Sequence, residues 1–99
     1  MDNAALINTE EHKYWNSDSA DYWVTQKQAL DQLLEPWARL LLDSAELSGG
    51  EQIADIGCGT GATTLKFAAP VGTGGRMIGV DLSRKLIDAA VESARERAI

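Results

Sequence analysis

The sequence predicts an α/β fold in which N-terminal helices are followed by a βαβα unit with parallel strands. Three observations carry this prediction. Apolar residues recur at helical spacing between Val24 and Ser44, short apolar segments follow at residues 52–56 and 77–80, and each segment leads through a turn into a helical pattern. A strand–helix–strand order of this kind requires parallel strands and a right-handed crossover.

Residues 1–50 are interpreted as a helical lead-in. Residues 1 to about 20 show no clear periodicity and predict only short helical turns. From Val24 to Ser44 one apolar stripe predicts an amphipathic helix, and its members are Leu30, Leu33, Leu34, Trp37, Leu40 and Leu41. Pro36 lacks a backbone donor, so it predicts a kink or two short helices that meet near Glu35. Ser48-Gly49-Gly50 then indicates a turn.

Residues 51–99 contain the strand and helix patterns of the βαβα unit. Gln52–Ile56 predicts a buried strand, Ala62–Ala69 predicts a helix that ends at Pro70, and Met77–Val80 predicts a second strand. Ser83 is predicted to cap the final helix. The apolar residues that recur along this helix predict its buried face, which consists of Leu86, Ile87, Ala90, Val91 and Ala94.

The loop Asp55–Gly61 joins the first strand to its helix and has a glycine at every second position from Gly57. Gly57 permits a sharp turn off the strand, and Gly59 lets ligand atoms approach the backbone without meeting a Cβ. We expect Gly61 to start the helix and to let it pack closely on the strand. Free amide donors at the helix N-terminus then favour an anionic group of a ligand.

The glycine spacing by itself fits two kinds of nucleotide cofactor, because Gly57, Gly59 and Ala62 also satisfy the dinucleotide pattern G-x-G-x-x-G/A. Asp55 distinguishes the two, since its carboxylate would repel a nearby pyrophosphate but suits the ammonium group of S-adenosylmethionine, which has no phosphate. Asp81, at the end of the second strand, can accept hydrogen bonds from the ribose hydroxyls of either ligand. The loop therefore predicts S-adenosyl-L-methionine as the cofactor.

The other candidate residues of this site have simpler interpretations. Leu82 follows the second strand and is expected to lie against the adenine face. Cys58, the single cysteine, is interpreted as a small residue that fits the loop, since no second cysteine exists for a zinc site or a disulfide. His12, the single histidine, lies in a polar stretch and is interpreted as a surface residue. The sequence thus predicts no metal site and leaves the catalytic residues unassigned.

Two segments resemble the class I S-adenosylmethionine-dependent methyltransferases, namely Ile53–Thr64 (IADIGCGTGATT) and Ile78–Ser83 (IGVDLS). The lead-in that ends in Leu47–Gly50 is similar to that of small-molecule methyltransferases of the ubiquinone/menaquinone-biosynthesis type. The resemblance covers roughly residues 15 to 98. It implies that residues 51–99 are the N-terminal half of a Rossmann-like S-adenosylmethionine-binding domain, and that the chain takes part in methyl transfer.

The resemblance also implies roles for individual residues. Asp55 and the Gly57–Gly61 backbone, including Cys58, would hold the methionine end, Asp81 the ribose and Leu82 the adenine. Aromatic residues of the lead-in would either close over the cofactor or pack the helices onto the sheet, and these are Trp15, Tyr22 and Trp23. Family members continue with further strands, so the unit is incomplete relative to the full sheet. We expect the bare edge of the first strand to contact a missing C-terminal part or a second copy.

Charge and hydropathy narrow the expected partners and location. A net charge of -6, from 15 acidic and 9 basic side chains, disfavours nucleic-acid binding through a basic face. Residues 1–8 lack a secretory signal, no apolar run approaches the roughly 20 residues that span a membrane, and one cysteine suits a reducing compartment. A cytoplasmic protein with a small-molecule methyl acceptor is expected. Two alternatives stay open: an NAD(P)- or FAD-binding oxidoreductase, and a non-catalytic S-adenosylmethionine-binding module.

Overall fold

The computed structural model describes residues 8–99, and most of the segment considered above for a secretory signal lies outside them. Its elements, in chain order, are α1 (Thr9–Trp15), α2 (Asp18–Thr25), α3 (Lys27–Ala45), β1 (Gln52–Ile56), α4 (Ala62–Val71), β2 (Arg76–Val80) and α5 (Arg84–Glu96). This order confirms the predicted α/β class, with N-terminal helices followed by a βαβα unit. The short helical turns predicted near the N-terminus correspond to α1 and α2.

The sheet consists of β1 and β2, which pair in parallel, as the strand–helix–strand order predicts. Asp55 lies opposite Gly79, and Ile56 lies opposite Val80. Successive side chains of a strand point to opposite faces, so one row is half-buried under the helices while the other row is exposed. Within residues 8–99 no third strand pairs with either edge of this sheet. Among these residues β1 pairs with β2 alone, along one of its edges.

Helix α3 is continuous through Pro36, so the alternative of two short helices is wrong. A proline removes one hydrogen bond of the helix ladder, but nine residues on each side of Pro36 keep the helical conformation. The apolar stripe of α3 is largely uncovered, because Leu33 and Trp37 are each 69% exposed. The helix ends at Ala45, and Glu46 takes the left-handed conformation with φ 51°.

Helices α4 and α5 provide most of the small buried core. Leu65, Phe67 and Val71 of α4 are buried, as is Leu86 of α5. On α5 the predicted face is only partly covered, with Val91 49% exposed. Ser83 caps α5 as predicted, since its hydroxyl oxygen accepts a hydrogen bond of 3.1 Å from the amide of Leu86.

The end of α4 differs slightly from the prediction. The helix includes Pro70 and ends at Val71, where Gly72 adopts a φ of 72°. Proline in the last turn fits this position because it stops the helix from extending without breaking the turns before it. Helix α2 packs on α5 and α3 packs on α4, which brings the N-terminal helices to the carboxyl ends of the two strands.

Candidate cofactor site

A cavity of about 580 Å³ lies at the carboxyl ends of β1 and β2, where ligand sites of parallel α/β sheets occur. Its two walls come from different parts of the chain. We call the first the loop wall, and its residues are Gly57, Cys58, Gly59, Thr60, Ala62, Thr63, Asp81, Leu82 and Leu86. We call the second the helical wall, and its residues are Trp15, Trp23, Lys27, Leu30, Asp31 and Leu34.

The glycine loop needs glycine at its first and last positions for steric reasons. Gly57 has a φ of 77°, and its amide turns back to donate to the carbonyl of Val80 at 2.7 Å. Gly61 has a φ of 86°, and a Cβ added there would lie 3.0 Å from the Cβ of Ala90 in α5. Both values of φ are costly for residues with a Cβ. The close neighbour of Gly61 is thus α5, whereas the sequence analysis expected the strand.

The amides of the loop are mostly used inside the protein. Those of Gly57 and Cys58 donate to Val80, that of Gly59 to Asp81, and that of Gly61 to the carbonyl of Cys58. The first turn of α4 differs, because no side chain caps its N-terminus in the described part of the chain. Unpaired amides at a helix N-terminus favour an anion. Anion binding at this wall would therefore fall to the first turn of α4, next to Thr60.

Asp81 fixes the conformation of the loop wall with both carboxylate oxygens. Oδ2 accepts a hydrogen bond of 2.8 Å from the amide of Gly59, and Oδ1 accepts one of 2.8 Å from the amide of Ser83. Each carboxylate oxygen can accept a second bond, so hydroxyl donors from the cavity can still be accommodated. Leu82 is 44% exposed and lines the cavity beside this carboxylate. The structure thus brings the predicted ribose and adenine residues together on one wall.

Asp55 lies behind the loop and is not among the described residues that line the cavity. Its Oδ2 accepts a hydrogen bond of 2.7 Å from the hydroxyl of Thr64 in α4. The carboxylate is half-buried on the side of β1 that faces the helices. Its charge remains near the loop, since the Asp55 carboxylate is one of the groups that raise the pKa of the Cys58 thiol.

Cys58 lines the cavity as a neutral thiol. Burial raises its pKa above the ordinary value, and the nearby carboxylates of Asp81 and Asp55 raise the pKa further. A thiol with a raised pKa is a poor nucleophile at neutral pH, since the thiolate is the reactive form. This agrees with the interpretation of Cys58 as a small residue that fits the loop.

Gly79 was not recognised from the sequence, although it is essential to the packing beneath the loop. A Cβ at this position would lie 2.9 Å from Sγ of Cys58 and 3.3 Å from the hydroxyl oxygen of Thr64. The available signal was a glycine inside a strand pattern, which often marks a close approach of another chain segment. A side chain at Gly79 would displace both Cys58 and the residue that binds Asp55.

The helical wall combines aromatic rings with one ion pair. The rings of Trp15 and Trp23 have centroids 6.0 Å apart. Lys27 and Asp31, one helical turn apart on α3, form a salt bridge with side chains 19% and 30% exposed. Tyr22 is 61% exposed and is not among the residues that line the cavity. Both tryptophans were candidates from the sequence, whereas the ion pair was not, because in the sequence it is an ordinary i, i+4 pair on the surface of a helix.

No group of three or more His, Cys, Asp and Glu side chains between residues 8 and 99 could hold a metal ion. Over the same range no helix is long and apolar enough to cross a membrane. His12 lies on the exposed surface of α1, away from the cavity lining.

Comparison with known proteins identifies the strand–loop–helix unit that carries the loop wall. Residues 53–99 match the methyltransferase domain family. This part of the chain belongs to that family. The match begins in β1 and includes the glycine loop, Asp81 and α5, so the methyltransferase segment, residues 53–99, contains the whole loop wall. The helical wall comes from residues ahead of the segment.

Three curated relatives are each more than 30% identical to the chain over part of its length. The chain is 35% identical to nocamycin O-methyltransferase of Saccharothrix syringae over 69% of its own length and 24% of the relative's. It is 31% identical to demethylmenaquinone methyltransferase of Symbiobacterium thermophilum, over 80% and 34%. It is 36% identical to a 23S rRNA uracil methyltransferase of Acinetobacter baylyi, over 62% and 13%. The matched part thus spans about a third or less of these relatives. No solved structure gives a significant match.

Proposed function

We propose that the chain is the cofactor-binding part of an S-adenosylmethionine-dependent methyltransferase that acts on a small-molecule acceptor. The observation that carries the proposal is the placement of the glycine loop, the Asp81 carboxylate and Leu82 on one wall of a single cavity. Its volume of about 580 Å³ lies within the range of small-molecule sites. The methyltransferase segment contains all of these groups.

The residues that line the cavity match S-adenosylmethionine group by group. Asp81 would accept from the ribose hydroxyls, and Leu82 would lie against the adenine. The uncapped first turn of α4 and the ammonium group of Lys27 would bind the carboxylate of the methionine end, and the Gly57–Gly61 backbone would lie along it. Asp55, behind the loop, would favour the neighbouring ammonium group through its charge. When bound, the cofactor supplies a methyl group activated by its positive sulfur.

The charges around the cavity support this ligand over a dinucleotide. Two carboxylates, Asp31 and Asp81, line the cavity together with one ammonium group, Lys27, which pairs with Asp31. A third carboxylate, Asp55, lies behind the loop. A pyrophosphate would bring two negative charges into this environment, whereas the methionine end brings positive charge as well. In this proposal the residues of the chain bind and orient the cofactor, and the tryptophan rings exclude water from it. Positioning and a water-poor site are the main requirements of a transfer from an activated methyl donor.

A calorimetric titration separates the candidate cofactors. We expect S-adenosylhomocysteine to bind the 99-residue chain in the micromolar range and NADH to show no saturable heat. Saturable binding of NADH without binding of S-adenosylhomocysteine would refute the proposal in favour of an oxidoreductase. If S-adenosylhomocysteine binds but no acceptor is methylated, the non-catalytic module becomes the better description.

We also propose a small-molecule acceptor and a cytoplasmic setting for the reaction. We assign residues 1–50 to a helical lead-in and residues 51–99 to the first half of the binding domain. A small acceptor is supported by the names of the nocamycin and demethylmenaquinone relatives and by the net charge of -6. The cytoplasm suits the single thiol. Incubation with labelled S-adenosylmethionine and panels of phenols, quinols and RNA would identify the acceptor class.

A further inference from the structure

Asn16 joins the corner between α1 and α2 to the turn that follows β2. Its Nδ2 donates to the carbonyl of Leu82 at 3.1 Å, and its Oδ1 accepts from the amide of Arg84 at 2.8 Å. A carboxamide carries a donor and an acceptor in one plane, so one side chain satisfies both backbone groups. The partners are 66 and 68 positions away in the sequence, so this contact exists only in the folded chain.

A second contact strengthens the same junction. Nζ of Lys85 lies 2.9 Å from Oδ2 of Asp21 and donates to the carbonyl of Ser17 at 3.3 Å. Both side chains are partly exposed, so this ion pair contributes little by itself. Together with Asn16 it links residues 16–21 to residues 82–85 through side-chain and backbone groups at both ends.

The junction connects the two walls of the cavity. Trp15 directly precedes Asn16 in the chain, and Trp23 belongs to the helix that follows. Leu82, whose carbonyl accepts the hydrogen bond from Asn16, lies on the loop wall immediately after Asp81. The contact therefore joins the helices that carry the tryptophan rings to the turn that follows Asp81.

We propose that Asn16 is a positioning residue that couples ligand binding at the Asp81–Leu82 turn to the docking of α1 and α2. The inference rests on the proposed function, because it concerns the same cavity. A ligand that contacts both walls stabilises the docked corner, and by thermodynamic reciprocity the docked corner raises ligand affinity by the same factor. Loss of the Asn16 hydrogen bonds to Leu82 and Arg84 is expected to weaken ligand binding about tenfold, within the usual range of coupling between two sites.

Hydrogen exchange of the 99-residue chain, with and without S-adenosylhomocysteine, measures this coupling directly. In the wild type we expect the ligand to slow exchange both at residues 57–61 and at residues 9–25. In Asn16→Ala the protection at residues 57–61 should remain at saturating ligand, while the additional protection of residues 9–25 is lost. Asn16→Asp keeps the acceptor for Arg84 and removes the amide that donates to the carbonyls of Leu82 and His12, so it gives the same test with less change in packing.

Ser17→Ala is the matched control. It removes the Ser17 hydroxyl, which accepts from the amide of Ser19 as the cap of α2 and donates to the carbonyl of Tyr14, but it keeps the Asn16 side chain that contacts Leu82 and Arg84. We expect it to lower stability while changing the dissociation constant less than about twofold. An equal loss of affinity in Ser17→Ala and Asn16→Ala overturns the inference. It is also overturned if the ligand slows hydrogen exchange in the wild type at residues 57–61 but not at residues 9–25. Absence of any S-adenosylhomocysteine binding overturns the proposed function itself.

Discussion

The two walls of the cavity are built by opposite means. The loop wall is made largely of backbone, with glycine conformations and the Asp81 carboxylate holding it in place through bonds inside a single βαβ unit. The helical wall is made of side chains on three helices that reach the site from an earlier part of the chain. The loop wall is thus determined by short sequence motifs, whereas the helical wall is determined by tertiary docking. Four predictions test this difference, from the largest expected effect to the smallest.

Asp81→Ala should weaken binding of S-adenosylhomocysteine about a hundredfold, because hydrogen bonds to a charged group are among the stronger ones and the loop loses its anchor. Isothermal titration calorimetry gives the dissociation constant. Asp88→Ala is the control, since Asp88 forms an exposed ion pair with Arg84 on α5. A loss of less than threefold in Asp81→Ala would contradict the role given to the loop wall.

Gly79→Ala should lower the free energy of unfolding by about 1–3 kcal/mol, because its Cβ has to displace Cys58 and Thr64. Urea denaturation followed by circular dichroism measures the change. Gly74→Ala is matched to it, since a Cβ at Gly74 meets no atom within 4 Å. We expect that control to stay within about 0.5 kcal/mol of the wild type. Equal free energies of unfolding for the two variants would show that the packing around Gly79 can accept a Cβ.

Lys27→Met should lower the affinity for S-adenosylhomocysteine about tenfold, corresponding to ~1.4 kcal/mol, because a charged partner of the ligand carboxylate is lost. It should change the affinity for 5′-methylthioadenosine, which lacks the amino-acid tail, by less than about twofold. Arg39→Met provides the control, since it breaks an exposed ion pair with Glu35 on the same helix. If both ligands lose affinity equally, Lys27 acts on the fold of the wall and not on the carboxylate.

The raised pKa of Cys58 predicts a small dependence of stability on alkaline pH. A group with a raised pKa in the folded state binds its proton more tightly there, so its stabilising effect is present below the unfolded pKa of about 8.5 and is lost as the pH rises through the folded value. Urea midpoints should therefore fall between pH 7 and pH 10 more in the wild type than in Cys58→Ser. Parallel pH profiles of the two proteins would refute this assignment.

The difference between the walls also explains what the sequence revealed. The strands, the glycine loop, Asp81 and the Ser83 cap are local features, so their spacing was enough to place them. Asn16 and Lys27 are ordinary polar residues in the sequence, and only the packing of α1–α3 against the βαβα unit gives them neighbours. The role of Asp55 stays a prediction, since it was derived from its position before the loop while the side chain lies behind it.

Helix α3 shows a second limit of sequence patterns. Amphipathic spacing identified its apolar face correctly, but Leu33, Leu34, Trp37, Leu40 and Leu41 are all more than half exposed. The pattern says which face of a helix is apolar and says nothing about what covers it. The prediction that two short helices meet near Pro36 was wrong because a nineteen-residue helix can continue through the loss of one backbone hydrogen bond.

The exposed row of the sheet has a consequence for how the protein melts. Ile56 is 76% exposed and Val80 is 45% exposed on the face that no helix covers within residues 8–99. Any surface that binds this row only in the folded state adds a free energy that grows with the concentration of the binder. The melting temperature then depends on the concentration of the binder. A rise with protein concentration would indicate self-association, and a rise on addition of a polypeptide would identify a segment that covers the sheet.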